Sequence, residues 1–153
     1  MAKKLSPIRL KVRIPHVVID VRDGNAELAE EMVSGLEELD ARVKILGDGA
    51  KILPHAFSTE EALEEAHIWV FLSDRDPKDL PMIIERGIVP VMLNGAHPLA
   101  ENYDAVNEKG NAFLFPKLSK WHIYGTLVRA LENFNFSHDW ENLRNHGKEL
   151  LPL

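Results

Sequence analysis

The chain has 153 residues, with 18 Lys and Arg against 24 Asp and Glu and a net charge of -6. Hydrophobic residues make up 45% and charged residues 27%, the balance of one folded domain; disorder is excluded, and no apolar run approaches the ~20 residues of a membrane span. Cys is absent, which removes disulfides, thiolate metal sites, cysteine catalysis and iron–sulfur clusters and fits a cytoplasmic location.

Residues 1–14 hold Lys3, Lys4, Arg9, Lys11 and Arg13 and no acid. The rest of the chain is therefore more acidic than the whole, which argues against nucleic acid as a partner. No apolar core follows the first lysines, so no signal peptide is expected. Ile8, Leu10, Val12 and Ile14 alternate with basic residues and predict a strand with one wet face. Pro15 closes it. The apolar run 17–21 predicts a strand buried on both faces. A turn at Asp23-Gly24-Asn25 follows. Leu28, Met32, Leu36 and Leu39 then recur at helical spacing. A second buried strand covers 42–46 and stops at Gly47-Asp48-Gly49.

Ser58 and Glu61 stand at capping-box spacing, with Phe57 in the staple position, and predict a short helix ending near Ala66. Residues 68–72 predict a third strand, and the polar loop 73–79 follows. A short helix is expected from Leu80 to Arg86, closed by Gly87. Residues 88–93 predict the fourth strand. The loop Asn94-Gly95-Ala96-His97 leads to Pro98, a residue suited to a first helical turn. Residues 111–115 predict the fifth strand. Ser119 should cap a helix through Ile123, Leu127, Leu131 and Phe134, and Ser137 a last helix with Trp140, Leu143 and Leu150.

Five apolar strands with intervening helices predict an α/β, three-layer Rossmann-like or flavodoxin-like domain. Its mostly parallel five-stranded sheet should carry an extra N-terminal strand and a C-terminal helix. One domain is expected over 1–153: a basic strand over 1–15, a core over 16–134 and a helical extension over 135–153. Such sheets bind ligands beyond the carboxyl ends of their strands, which places the loops 20–25, 47–49, 73–79 and 94–97 on the functional rim. The chain has no G-x-G-x-x-G, Walker A, G-x-S-x-G or H-E-x-x-H motif, and no His pair at zinc-binding helical spacing. No metal and no cofactor are expected. Trp69 and Phe71 lie within a strand and read as core. Gly47-Asp48-Gly49 reads either as a turn or as a place where a ligand meets backbone. Gly95-Ala96-His97 ahead of Pro98 suits an anion at a helix start. Asp74, Asp76 and Asp79, with Arg75 and Lys78 among them, form either a solvated loop or a group that holds sugar hydroxyls, a metal or a proton.

Residues 57–150 resemble the C-terminal Rossmann-like half of GT-B glycosyltransferases, especially the glycogen and starch synthase type. Phe57-Ser58-Thr59-Glu60-Glu61-Ala62-Leu63 and Ala66-His67-Ile68-Trp69-Val70-Phe71-Leu72-Ser73 are similar to that family's short helix and the strand it leads into. Arg75-Asp76-Pro77-Lys78-Asp79-Leu80 resembles its Arg-x-Glu-Pro-x-Gly-Leu loop, and Arg86-Gly87-Ile88-Val89-Pro90-Val91 its Gly-x-x-Pro-Val strand. Gly95-Ala96-His97 stands where a Gly-Gly pair opens the next helix. Lys109-Gly110-Asn111-Ala112-Phe113-Leu114-Phe115 is similar to its Gly-x-Gly-Phe-x-Phe strand, and Trp140, Leu143 and Gly147 to its tail helix. The chain departs from the family at Asp76, in place of Glu, and at Asp79, in place of Gly. The family's basic pair for donor phosphates has no counterpart noted here.

The resemblance implies a domain that binds a nucleotide sugar, UDP- or ADP-linked. Any activity would be hexosyl transfer, with Asp76 as the catalytic carboxylate. The implied substrate-binding residues are Gly47, Asp48, Gly49, Ser73, Lys78, Asp79, Asn94, Gly95, Ala96 and His97. A GT-B cleft forms between two domains, so a homodimer or a partner domain is expected through residues 5–14; the alternative is that this strand folds back onto its own sheet. No membrane partner is expected.

A second resemblance, to response-regulator receiver domains, covers 16–134. It implies Asp20 and Asp23 as an acidic pair, Asp74 as phosphoacceptor, Asn94 for the hydroxyl residue and Lys117 for the lysine, although Pro116-Lys117 inverts the usual order. A binding or scaffolding module without chemistry is the third reading.

Overall fold

The computed structural model describes residues 13–23, 25–49, 54–56 and 58–151. Five strands form one all-parallel sheet: β1 (His16–Asp20), β2 (Arg42–Leu46), β3 (Ile68–Phe71), β4 (Val89–Leu93) and β5 (Phe113–Phe115). Their order is β2-β1-β3-β4-β5. The chain starts at β1, moves outward to β2, and then returns past β1 to β3. The β1/β3 boundary is therefore the topological switch point. In register, Asp20 pairs with Leu46 on one side and with Phe71 on the other.

Parallel strands must be covered on both faces. Val17, Ile19, Ile68 and Val70 point to one face, together with Phe113 and Phe115. That face is covered by α1 (Ala26–Glu31), α2 (Val33–Leu36) and α5 (Lys120–Phe134), with Trp140 and Leu143 of α6 (Ser137–Leu150) joining the same core. Val18, Trp69, Phe71 and Met92 point the other way, beneath α3 (Thr59–Glu65) and α4 (Leu80–Glu85). Trp69 is fully buried, a core residue as its strand position requires. No helix among the described residues is long and apolar enough to cross a membrane.

The local signals behave as their chemistry dictates. The Ser58 hydroxyl accepts from the Glu61 N–H at 3.1 Å and starts α3. Ser119 Oγ does the same for α5, accepting from the His122 N–H at 3.4 Å. Gly87 closes α4 at φ +79°. Phe57, the expected staple residue, lies outside the described residues.

Four expectations are corrected or fall outside view. The helix expected through Leu28 to Leu39 is two short ones, interrupted at Met32, where φ is -96° and ψ -4°. The following Val33-Ser34-Gly35 are poor helix formers. Gly35 also leaves room for Tyr124, whose ring would stand 2.8 Å from a Cβ there. No helix follows Pro98: residues 94–112 are turns joined by isolated bridges. Side chains take the backbone bonds that a helix would need. Asn111 Oδ1 accepts from the Glu101 N–H and its Nδ2 donates to the Leu99 carbonyl, each at 2.8 Å. His97 Nδ1 accepts from the Leu99 N–H, and Asp104 Oδ1 accepts from the N–H groups of Val106 and Asn107. Ser137 is the first residue of α6 and makes no side-chain cap; Phe136 holds the cap position. The expected strand over 8–14, and with it the docking segment 5–14, falls mostly outside the described residues; its described part, 13–14, is in no strand.

Candidate functional site

The site is built where β1 and β3 part. Asp20 ends β1 and shares the Trp69 side of the sheet, because alternate residues of a strand share a face. Its side chain is only 6% exposed. A buried carboxylate must be paired, and Asp20 is paired completely. Oδ1 accepts from the Arg22 backbone N–H at 3.1 Å and from Arg22 Nε at 3.0 Å. Oδ2 accepts from Arg22 Nη2 at 2.7 Å and from the Trp69 indole N–H at 3.0 Å. This uses the full acceptor capacity of a carboxylate.

Arg22 leaves β1 two residues after Asp20, so its guanidinium folds back along the same side. Nη2 also donates to Asp79 Oδ2 at 2.8 Å. Asp79 precedes α4 and makes no side-chain capping bond to that helix. Arg22 thus ties the end of β1 to the start of α4, across the switch point. Its pKa is raised further above the usual guanidinium value, chiefly by the hydrogen bond to Asp20, with burial opposing. Among the described residues both N–H groups of Nη1 lack a partner.

A cavity of about 500 Å³ opens here, lined by Asp20, Arg22, Asp23, Phe71 and the loop 75–79. It mixes carboxylates (Asp20, Asp23, Asp76, Asp79) with cations (Arg22, Arg75, Lys78). Asp20 and Asp79 share the single positive charge of Arg22. Lys78 stands 3.9 Å from Asp76 and is 87% exposed, so that pair is loose. Asp76 also faces His97 Nε2 at 3.7 Å, and His97 is held from behind by the Leu99 N–H on Nδ1. The nitrogen that accepts from Leu99 carries no proton, so the ring proton is on Nε2, which stands beyond hydrogen-bond distance of Asp76.

Of the residues expected from sequence, Asp76, Lys78 and Asp79 line the cavity, and His97 reaches its edge through Asp76. Ser73 is buried and its Oγ accepts from the Arg75 N–H at 3.0 Å, which shapes the loop. Gly47 and Gly49 have φ +119° and +109°. A Cβ on Gly47 would meet Val21 and the Arg22 backbone, and one on Gly49 would meet Ala26, so the loop 47–49 is packed against the loop after β1. Gly47, Asp48 and Gly49 do not line the cavity, and neither do Asn94, Gly95 and Ala96. Gly95 has φ +87° and open space around it, in a turn and not at a helix start. The anion site expected there loses its helix N-terminus.

The residue that sequence reasoning missed is Arg22. The signal was present: an acid at the end of a buried apolar run needs a cation, and Arg22 lies two residues on, on the same side. The receiver reading needs Asp20 free to hold a metal. Asp20 has no acceptor position left for a metal, and the described residues contain no group of three metal-ligating side chains.

No protein-family model matches the chain, and no curated protein sequence does. Among solved structures the chain is similar to spinosyn forosaminyltransferase SpnP, at 15% identity with a TM-score of 0.51. The likeness covers 96% of this chain and 42% of that one, so the chain spans less than half of that protein's length. At this identity the likeness establishes the fold alone, a Rossmann-like α/β domain, and does not single out the glycogen and starch synthase type.

Proposed function

We propose that the chain is a glycosyltransferase-like domain that binds a nucleotide sugar in the crevice between β1 and β3. One observation carries the reading: a guanidinium fixed by a buried carboxylate lines a cavity of about 500 Å³ at the switch point, with N–H donors that have no partner among the described residues. Fixed donors of this kind suit a phosphate, because the fork is oriented before the ligand arrives. The diphosphate is assigned to Arg22, with Arg75 and Lys78 at the mouth of the cavity. The loop 47–49, packed against the Arg22 backbone, is assigned to the base. Asp76 faces the sugar, where a carboxylate accepts from hydroxyls or stabilises positive charge developing at the anomeric carbon. His97 faces Asp76 from the next loop. The likeness to a forosaminyltransferase supports the fold class of this reading; hexosyl transfer and the UDP- or ADP-linked donor are assignments of our own.

Titration calorimetry with UDP-glucose and ADP-glucose tests it. Saturable binding is expected in the micromolar to millimolar range, lost in Arg22→Ala and retained in Trp121→Ala, a change at a distant exposed position. No saturable binding by the native protein at millimolar ligand rejects the reading.

A further inference from the structure

We propose that Asp79 is an internal stand-in for the ligand's anion: it occupies Arg22 in the empty domain and must be displaced on binding, so it sets the affinity of the site. This rests on the nucleotide-sugar reading above and adds a role for a residue which that reading leaves as a bystander.

The two carboxylates on Arg22 are unequal. Asp20 is buried, holds four hydrogen bonds and fixes the guanidinium. Asp79 has a side chain 37% exposed and bonds only through Oδ2 to Nη2, at 2.8 Å. The first link is permanent and the second is exchangeable, since exposed ion pairs contribute little and water competes for them. Asp79 does not serve its own helix: α4 takes no capping bond from it. Its carboxylate reaches 57 residues back along the sequence to the one cation that is anchored in the cavity. A phosphate that grips the guanidinium end-on, through Nη1 and Nη2 together, needs the Nη2 N–H that Asp79 holds. Binding therefore exchanges one anion for another, and the freed Asp79 adds a negative charge beside the ligand. In the sequence resemblance a glycine stands at this position; here a competitor replaces it.

The test uses the full chain and inorganic pyrophosphate, titrated at fixed ionic strength into the native protein, Asp79→Asn and Asp23→Asn. Asp23 lines the same cavity and makes no bond to Arg22, so its variant reports the general effect of removing one negative charge. Asp79→Asn should bind about fivefold more tightly than the native chain, the scale of a released exposed ion pair, and Asp23→Asn less than about twofold. A gain in Asp79→Asn no larger than in Asp23→Asn, while the native chain binds, overturns the inference and leaves the nucleotide-sugar reading standing. No saturable binding by any of the three proteins overturns both.

Discussion

Arg22→Ala is the perturbation that probes the site without any ligand. It removes two hydrogen bonds from a carboxylate that is 6% exposed, and it removes the charge that neutralises it. Asp20 keeps the Trp69 indole N–H and the backbone N–H of residue 22, so it is weakened and not stripped. A broken buried ion pair costs about 3–5 kcal/mol. Arg22 itself is 35% exposed, and the open cavity lets water reach the orphaned oxygens, so the expected loss is lower, about 2–3 kcal/mol. For a domain of this length that is a fall in Tm of about 5–10 °C. Chemical denaturation with a double-mutant cycle isolates the cause. In an Asp20→Asn background there is no buried charge to orphan, so Arg22→Ala should cost less than half as much there. An equal cost in both backgrounds would mean that Arg22 matters through its packed stem, and the argument for an anchored guanidinium would fall.

Two further outcomes follow from the same coordinates. His67 is half-buried and its Nδ1 accepts from the His16 N–H at 2.9 Å; burial above all, then His16, Arg13 and Arg144, hold its pKa below the ordinary 6.5. The unfolded chain therefore binds this proton more readily, so the contribution is complete above about pH 6.5 and is lost as pH falls through the lower folded value; the urea midpoint should drop on acidification, and His67→Gln should show a flatter dependence, an unchanged profile speaking against the argument. Gly110 has φ +100° and its missing Cβ leaves space for the carbonyl of Asn102, so Gly110→Ala should destabilise by about 2 kcal/mol or more in urea unfolding, with a smaller loss refuting the close packing of this turn.

The inner strands were legible because they are short, mostly apolar runs, which a sheet covered on both faces requires; β2, expected to be buried, is an edge strand, with Arg42 exposed and only Ile45 and Leu46 buried. Ser58 and Ser119 were legible as caps because the bond each makes closes within three residues. The stretch after Pro98 was misread for the opposite reason. Its helix is displaced by bonds from Asn111 to residues 10 and 12 positions away, and no local pattern carries that information. Arg22 was missed because its partner Asp79 is remote in sequence. Its link to Asp79 spans 57 residues and exists only because β3 returns to lie beside β1. Three of the loop residues that line the cavity, Asp76, Lys78 and Asp79, were nonetheless named, since a parallel sheet carries its ligand loops at the carboxyl ends of its strands.

The two rims of the sheet are built on different terms, and the difference locates the chemistry. At the amino-terminal rim α6 lies across the strand ends. Arg144 Nε donates to the Gly87 carbonyl at 3.0 Å, and His146 Nδ1 to the Gly110 carbonyl at 3.2 Å. Gly147 has no Cβ to strike Ile84, which lets the helix sit close. Side chains of α6 thus meet backbone carbonyls, and this rim is closed by its own chain. At the carboxyl rim no helix crosses among the described residues, and the polar groups around Arg22 are satisfied by one another. Asp20 takes all it can hold, and Asp79 takes what Arg22 has left on Nη2. Among the described residues the two N–H groups of Nη1 remain over. A guanidinium held in place by a buried carboxylate beside a cavity is the observation on which the proposed nucleotide-sugar site rests.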